Sequence, residues 1–285
     1  MIIDSHSHAW DQWPYDPPVP DHDSRGRVEQ LLHEMDANGV DQAVLVAARI
    51  DHNPGNNDYV AGVVREYPDR LHQFADVDCQ WTDQYHTPGA ADRLAQTADE
   101  LPIRGFTHYV NRENDGWFLS DEGMAFFGVA AERNLVASIA ASPNWQADLR
   151  EVARTYPTLP ILCHHLAGID ASEPPPFEGL REVLASAELD NILIKVSGFY
   201  YASRTTWDFP FSDVHWMVRE LYEHFGPHRL CWGSDYPVVR RAMTYTQAIE
   251  VVRSHLPFVP DDDMSSIMGD TLDHVLQTGR PVGIT

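Results

Sequence analysis

The sequence predicts a (β/α)8 barrel, in which eight parallel strands close into a cylinder surrounded by helices. Eight short apolar runs alternate with longer stretches that carry apolar residues at three- and four-residue spacing. Strands joined by helical crossovers pair in parallel, and eight such units close naturally into a barrel. The chain has 285 residues. Since barrels of about 250 residues fold as one unit, we expect residues 1–285 to form a single domain.

The strand candidates are short and are separated by helical stretches. In order they read MIIDSH, DQAVLVAA, LHQFADVD, PIRGFTHY, NLVASIAAS, LPILCHH, NILIKVSG and RLCWGSD. We expect residues 2–6, 43–46, 161–165, 192–196 and 230–232 to be parallel strands of one closed barrel. The stretches RVEQLLHEMDANG and DEGMAFFGVAAERN have helical spacing, and Gly39 is placed to end the first of them.

An open, doubly wound sheet is the alternative, because periodicity does not show whether a sheet closes. No glycine-rich phosphate loop follows the first strand candidate, which argues against the dinucleotide-binding version of that fold. The proline-rich stretches WPYDPPVP and SEPPPF follow the first and sixth candidates, where a barrel places its pocket loops. We expect the first, with Trp10, Trp13 and Tyr15, to form a partial lid. The second is either a pocket loop or a solvated connector.

Composition limits the partners of this protein. It carries 20 basic and 43 acidic residues, and the formal charge of −23 opposes binding to nucleic acid or to an anionic membrane. Because no signal-peptide pattern and no apolar run of about 18 to 20 residues is present, we expect a cytoplasmic protein with a small-molecule substrate. Whether it forms a homo-oligomer stays open. Cys79, Cys163 and Cys231 lack metal-site spacing and are expected to be reduced packing residues.

Three strand ends carry imidazole or carboxylate groups. His6 and His8 follow the first strand and share a side, because side chains alternate along an extended strand. The sixth strand ends in His164 and His165, and the eighth is followed by Asp235. At the mouth of a barrel, groups of this kind suit zinc, manganese or a directly activated water. By alternation, His164 should face away from the pocket and make a structural hydrogen bond.

Six motifs occur in order along nearly the whole chain. They are HSHAW, NNDYVAGVVREYPDRLHQFADVD, IRGFTHYV, ILCHHLAG, ILIKVSGFY and RLCWGSDYPV. Together they resemble the amidohydrolase superfamily, and within it the amidohydrolase-2 branch of lactonases and decarboxylases. The resemblance implies that His6, His8, His165 and Asp235 line the reactive centre. Asp235, as the proton-transferring group, and His165 are the predicted catalytic residues.

The resemblance leaves the metal content open. Many metal-dependent members carry a further ligand after the fifth strand, whereas this chain reads NLVASIAASPN, and Ser138 and Ser142 are poor zinc ligands. The branch also includes pyrone-dicarboxylate lactonases that work without metal. We expect one divalent ion, zinc or manganese, held by the three histidines and Asp235, with a metal-free centre as the alternative.

Seven further residues at strand ends are predicted to bind substrate. They are Arg49, His52, His108, Tyr109, Lys195, Tyr200 and Arg204. The three cations among them indicate an anionic substrate, since a guanidinium binds a carboxylate through two parallel hydrogen bonds. For Lys195 the alternative is an interior lysine paired with an acid.

The leading hypothesis is hydrolysis of a small, anionic lactone or related cyclic ester. Asp235 would take a proton from the attacking water, and the histidines or a bound metal would stabilise the oxyanion. The first alternative is metal-dependent, non-oxidative decarboxylation of an aromatic acid on the same scaffold. The second is a catalytically silent barrel that binds a metabolite.

Overall fold

Eight strands pair in parallel and in chain order, each with the next along the sequence. The computed structural model describes residues 1–15, 19–50 and 53–284. Residues 16–18 of the first proline-rich loop and the predicted substrate-binding residue His52 lie outside these ranges. The strands are β1 (Ile3–Ser7), β2 (Gln42–Val46), β3 (Leu71–Asp76), β4 (Ile103–Tyr109), β5 (Val136–Ala140), β6 (Ile161–Cys163), β7 (Ile192–Val196) and β8 (Leu230–Trp232).

The sheet closes where the chain after β8 meets β1. The backbone N–H of Asp235 donates to the carbonyl of His6 at 2.7 Å, and the N–H of His8 donates to the carbonyl of Tyr236 at 2.7 Å. Ser7 and Tyr236 form a parallel bridge at the same seam. The predicted (β/α)8 barrel is therefore confirmed, and the open sheet is excluded.

Helices follow the strands and form the outer layer. They are α1 (Val28–Asn38), α2 (Asn56–Glu66), α3 (Ala90–Glu100), α4 (Asp121–Glu132), α5 (Gln146–Thr155), α6 (Glu178–Ala185), α7 (Phe199–Ala202), α8 (His215–Phe225), α9 (Tyr245–Arg253), α10 (Asp261–Ser265) and α11 (Thr271–Thr278). As predicted, α1 ends at Gly39, whose φ of 67° lies in the left-handed region that suits glycine. Within the described ranges, no helix is both long enough and apolar enough to cross a membrane.

The core has two layers, because strand side chains alternate between the barrel interior and the helices. Inside, Ile3 and Val136 stand at the starts of their strands in an apolar cluster that α11 packs against. Outside, Phe106 of β4 meets Phe126 of α4 edge to face, with ring centroids 4.9 Å apart. The three cysteines are buried and free, as expected for packing residues.

The strand bounds differ from the prediction by one or two residues. The bounds of β7 and β8 are as predicted, whereas β1 spans Ile3–Ser7 instead of residues 2–6 and β2 begins one residue early. The sixth strand ends at Cys163, two residues before the predicted end. The cause is a left-handed turn, since His165, Leu166 and Ala167 have φ of 45°, 54° and 55°. The chain therefore leaves the sheet at the point where His164 and His165 face the barrel mouth.

Candidate active site

A cavity of about 560 Å³ opens at the carboxyl-terminal end of the barrel. Its walls come from segments that follow β1, β3, β4, β5, β6, β7 and β8. His8, His164, His165 and Asp235 lie at its polar end, and Tyr15 of the first proline-rich loop is part of its wall. The residues of SEPPPF do not border it, which favours the connector interpretation for that stretch.

The structure brings the four predicted centre residues together. The Oδ1 atom of Asp235 lies 3.5 Å from His6 Nε2, 3.4 Å from His8 Nε2 and 3.9 Å from His165 Nε2. The Nε2 atoms of His6 and His8 are 3.1 Å apart. His6, His8 and Asp235 form one group whose ligand atoms are close enough to share a metal ion, and His6 forms a second such group with His164 and His165.

Contacts away from the cavity orient the three imidazoles. His8 Nδ1 lies 2.7 Å from the carbonyl of Val46, so this nitrogen carries a proton and Nε2 is the atom that the ring presents to the centre. His165 Nδ1 lies 3.0 Å from Ser197 Oγ. His6 Nδ1 lies 3.0 Å from Lys195 Nζ. In each ring Nδ1 has an outer partner, and the opposite nitrogen turns toward Asp235.

A buried carboxylate connects the two ends of the barrel seam behind the centre. Asp4 Oδ1 accepts hydrogen bonds from the backbone N–H groups of His6 and Ser234 at 3.0 and 2.9 Å. Its Oδ2 accepts from the hydroxyls of Ser234 and Tyr245 at 2.5 and 3.1 Å. Burial raises the pKa of Asp4 to about 6, against these hydrogen bonds. Asp4 thereby holds the segments that carry His6 and Asp235 at a fixed separation.

Burial and contacts set the charges at the centre. Burial lowers the pKa of His165 to about 4, and burial with the neighbouring Lys195 lowers the pKa of His6 well below its usual value. Burial acts to raise the pKa of Asp235, but His165, His8 and a hydrogen bond from Tyr200 outweigh it and hold that pKa below its usual value. These shifts favour neutral imidazoles at His6 and His165 beside an ionised Asp235 carboxylate.

Two tyrosines hold the second oxygen of this carboxylate. The hydroxyl of Tyr200 donates to Asp235 Oδ2 at 2.6 Å, and that of Tyr201 donates to the same atom at 3.0 Å. Tyr200 was predicted to contact substrate, but it is buried and does not border the cavity. Tyr201 does border it. Because Oδ2 is saturated by these donors, Oδ1 is the oxygen that is directed toward the histidines.

The structure does not bring the two predicted arginines to the cavity. The guanidinium of Arg49 donates through Nε to the carbonyl of Pro54 at 3.0 Å, and that of Arg204 donates through Nε to the carbonyl of Ala171 at 2.6 Å. Neither residue borders the cavity. Both follow strands, but their long side chains bend to nearby backbone acceptors that strand position alone does not reveal.

His108 and Tyr109 are neighbours on β4, and their side chains point to opposite faces of the strand. Tyr109, at the end of β4, borders the cavity as predicted. The prediction for His108 is wrong, because it points to the opposite face, where its Nδ1 lies 2.9 Å from the carbonyl of Val77 and its Nε2 lies 3.2 Å from His86 Nε2. It is buried and packs on Phe126 of the outer layer.

Lys195 is an interior residue and does not border the cavity. Its Nζ donates to Ser138 Oγ at 2.8 Å and contacts His6, so it supports the centre from below instead of holding substrate. The expected acid partner is replaced by a hydroxyl and an imidazole. Burial lowers the pKa of Lys195 to about 7.

His164 lines the cavity, contrary to the prediction that it faces away. His164 is extended and continues the alternation of β6, in which Leu162 faces the barrel interior, so the rings of His164 and His6 meet with centroids 4.5 Å apart. The left-handed turn that begins at His165 brings that residue to the cavity as well. The predicted structural hydrogen bond exists, since His164 Nε2 lies 2.6 Å from Ser138 Oγ.

The cavity wall contains polar residues that the sequence reasoning missed. Gln80, Arg112, Ser142 and Asp170 lie two or more residues past strand ends. Within the described ranges, no hydrogen bond or ion pair holds the guanidinium of Arg112, whose backbone carbonyl accepts from Ser142. Its position three residues beyond Tyr109 was the available signal, since loops after barrel strands build the pocket.

The fold and the centre together define a barrel enzyme with a histidine and aspartate site at its mouth. The model of the Amidohydrolase family matches residues 3–271, and this chain belongs to that family. Family membership confirms the resemblance seen in the six motifs and the predicted class of enzyme, a hydrolase.

Three similar proteins add detail. An L-fucono-1,5-lactonase of Burkholderia ambifaria is 29% identical over 168 residues, which cover 57% of this chain and 55% of that protein. The chain therefore matches about half the length of this curated relative. A probable 2-pyrone-4,6-dicarboxylic acid hydrolase of Acinetobacter baumannii, with citric acid bound, has a TM-score of 0.77 at 20% identity and covers 97% of this chain and 99% of that chain. A zinc-bound amidohydrolase of Burkholderia multivorans has a TM-score of 0.77 at 18% identity, covering 98% and 99%. At these identities the two structures show the common fold.

Proposed function

We propose that this protein hydrolyses a small lactone, with Asp235 as the general base. The observation that carries the proposal is the ionised Asp235 carboxylate at the cavity wall, with Oδ1 directed to the imidazoles of His6, His8 and His165. Such a carboxylate can remove a proton from water placed against a bound carbonyl carbon. The Amidohydrolase family and the partial likeness to an L-fucono-1,5-lactonase support this choice of reaction.

The proposed chemistry requires three events at the lactone. The water oxygen forms a bond to the carbonyl carbon while its proton passes to Asp235. The carbonyl oxygen becomes an oxyanion, which the polar end of the cavity stabilises. The bond between the carbonyl carbon and the ring oxygen then breaks, and the ring oxygen takes a proton.

The donor set of the centre fits a divalent metal ion. Distances of 3.1, 3.4 and 3.5 Å separate His6 Nε2, His8 Nε2 and Asp235 Oδ1. Ligands of a tetrahedral zinc ion with bonds of 2.0–2.1 Å lie about 3.3 Å apart. We infer that His6, His8 and Asp235 would hold one zinc or manganese ion, whereas the predicted fourth ligand His165 groups with His6 and His164.

A bound ion of this kind lowers the pKa of a coordinated water to about 7 and polarises a carbonyl. The protein side chains have their own tasks beside it. Val46 and Ser197 keep the rings of His8 and His165 in position, and Tyr200 and Tyr201 hold Asp235.

We propose that the substrate is small and carries an anionic or oxygen-rich group. The predicted cations Arg49, Lys195 and Arg204 do not border the cavity, but Arg112 does. Its unpaired guanidinium can bind a carboxylate of the lactone through two hydrogen bonds. The polar wall residues Gln80 and Asp170 can accept or donate hydrogen bonds to hydroxyl groups.

A substrate panel tests the proposal. Wild type and Asp235→Asn are assayed with sugar lactones, carboxylated muconolactones, pyrone carboxylates and hydroxybenzoates. We expect wild type to open at least one lactone and the variant to turn it over about a hundredfold more slowly, the usual contribution of a general base. Circular dichroism and thermal melting control for folding.

The other outcomes point to the alternatives. Release of carbon dioxide from a hydroxybenzoate, with no lactone opened, would replace the lactonase by a decarboxylase. Turnover of no compound in the panel would favour a barrel that only binds its ligand. Near-normal turnover by Asp235→Asn would move the role of base to another residue.

A further inference from the structure

Tyr200 and Tyr201 bind the same carboxylate oxygen but lie in different surroundings. Their hydroxyls are 2.6 and 3.0 Å from Asp235 Oδ2. The side chain of Tyr200 is 5% exposed, whereas Tyr201 is 51% exposed and is part of the cavity wall. One tyrosine is therefore a buried support, and the other can touch a molecule in the cavity.

The local backbone explains this difference. Both residues lie in α7, a single turn that begins after Gly198, whose φ is 68°. Neighbouring residues of a helix point about 100° apart, so Tyr200 enters the core while Tyr201 turns to the cavity. Gly198 also allows close packing, because a Cβ at this position would lie 2.8 Å from both the His165 ring and the Tyr201 ring. The ring of Tyr201 stands 5.1 Å from the ring of His165.

The departing ring oxygen of the lactone needs a proton, and the site offers two donors, the protonated Asp235 itself and a hydroxyl that contacts it. Asp235 accepts the proton of the attacking water, and the departing ring oxygen of an alkyl lactone must gain one, because an alkoxide is a poor leaving group. A donor for that oxygen has to border the cavity and be connected to the base. Of the two hydroxyls bound to Asp235, that of Tyr201 meets both conditions.

We propose that Tyr201 is the general acid that protonates the leaving ring oxygen, a role that rests on the proposed lactone hydrolysis. As the bond between the carbonyl carbon and the ring oxygen breaks, its electron pair goes to the ring oxygen, which takes the phenolic proton. Rotation of the protonated Asp235 carboxyl group, which received its proton on Oδ1, brings that proton to the Tyr201 phenolate, which contacts Oδ2. The net result is one water consumed, one carboxyl and one hydroxyl formed, and both side chains restored.

Tyr201→Phe is the test variant and Tyr200→Phe is its matched control, since each removes one hydrogen bond to the same oxygen. Both are assayed with the best lactone from the panel and with the thiolactone in which sulfur replaces the ring oxygen. A thiolate leaves without protonation. We expect Tyr201→Phe to lower kcat about a hundredfold or more on the lactone and less than about fivefold on the thiolactone. Tyr200→Phe, which only positions Asp235, should slow both substrates by similar factors.

Oxygen exchange supplies a second readout that needs the lactone alone. If departure of the ring oxygen is impaired, the tetrahedral intermediate returns to lactone and carries ¹⁸O from labelled water into the unreacted carbonyl. We expect this exchange with Tyr201→Phe and not with Tyr200→Phe.

Each contrary result has a distinct meaning. Equal losses on both substrates, or unchanged kcat, together with no ¹⁸O exchange, would overturn the acid role of Tyr201 while leaving lactone hydrolysis in place. A wild-type enzyme that opens no lactone would refute the proposed function, and the role of Tyr201 with it.

Discussion

Replacing Lys195 by methionine is expected to stabilise the fold while lowering activity. The lysine is fully buried beneath the histidines, where its Nζ contacts Ser138 and His6. Methionine fills a similar volume without a charge. The variant therefore removes a desolvated ammonium group and leaves His6 Nδ1 without its neighbour.

The pKa of Lys195 sets the size of this effect. Burial lowers it from 10.5 to about 7. At 1.36 kcal/mol for each pH unit, this difference corresponds to about 5 kcal/mol in favour of the neutral amine. Because the folded-state pKa is the lower one, the cost to stability is complete below pH 7 and disappears as the pH rises through 10.5. At pH 9, about 2 kcal/mol of it remains.

The two lost contacts of Nζ oppose the gain by about 2 kcal/mol, at about 1 kcal/mol each. We therefore expect Lys195→Met to be roughly 3 kcal/mol more stable than wild type at pH 6 and about equal to it at pH 9. Turnover should fall about 10- to 100-fold, as when a group that supports a metal ligand or catalytic histidine is lost.

Urea unfolding of the metal-free proteins at pH 6 and pH 9, followed by circular dichroism, measures the stability difference. Steady-state kinetics at pH 7 measures the activity. A variant that is less stable than wild type at pH 6, or a stability difference that does not change with pH, would refute the assignment of Lys195 as a destabilising buried amine. Full activity would show that His6 does not need it.

Three further outcomes are expected. Arg112→Met should raise KM for an anionic lactone about 10- to 100-fold, because it removes a charge-assisted hydrogen bond to the substrate. Arg204→Met is the control and should leave KM unchanged in the same assay. Equal effects of the two substitutions would contradict the placement of both residues. Protein purified without chelator should contain about one zinc or manganese ion per chain by elemental analysis, and full activity after chelation would favour a metal-free centre. Asp4→Ala should lower the free energy of unfolding by about 3–5 kcal/mol in urea, because four donors at the barrel seam lose their acceptor. A loss below about 1 kcal/mol would show that Asp4 does not hold the seam.

Short-range patterns were sufficient to predict the barrel and to locate its centre. Alternating apolar runs and helical stretches are local properties of the chain, and they define the eight β/α units. His6 lies near the end of β1, and His8, His165 and Asp235 follow their strands by one, two and three residues. The carboxyl ends of all strands meet at one mouth of the barrel. Side chains at those ends therefore converge, independently of the conformation of the loops.

The sequence did not predict which way individual side chains at the strand ends face, because the tertiary structure sets that direction. His108 and Tyr109 are neighbours on β4, yet one faces the outer layer and the other the cavity. A strand end predicts a location, but the face depends on pleat and register, and a left-handed turn at His165 brings that side chain to the cavity beside His164. Arg49 and Arg204 lie outside the cavity wall, and the guanidinium group of each donates a hydrogen bond to a nearby backbone carbonyl.

The contacts that tune the centre join residues far apart in the chain. Lys195 meets His6 across 189 positions, and Asp4 meets Ser234 across 230. No spacing rule links such pairs, because their separation is set only when β8 closes onto β1. Sequence alone therefore determined that histidines and an aspartate meet at the mouth of the barrel. Closure of the barrel decided which of them touch, and burial at those contacts set the charges that the proposed chemistry requires.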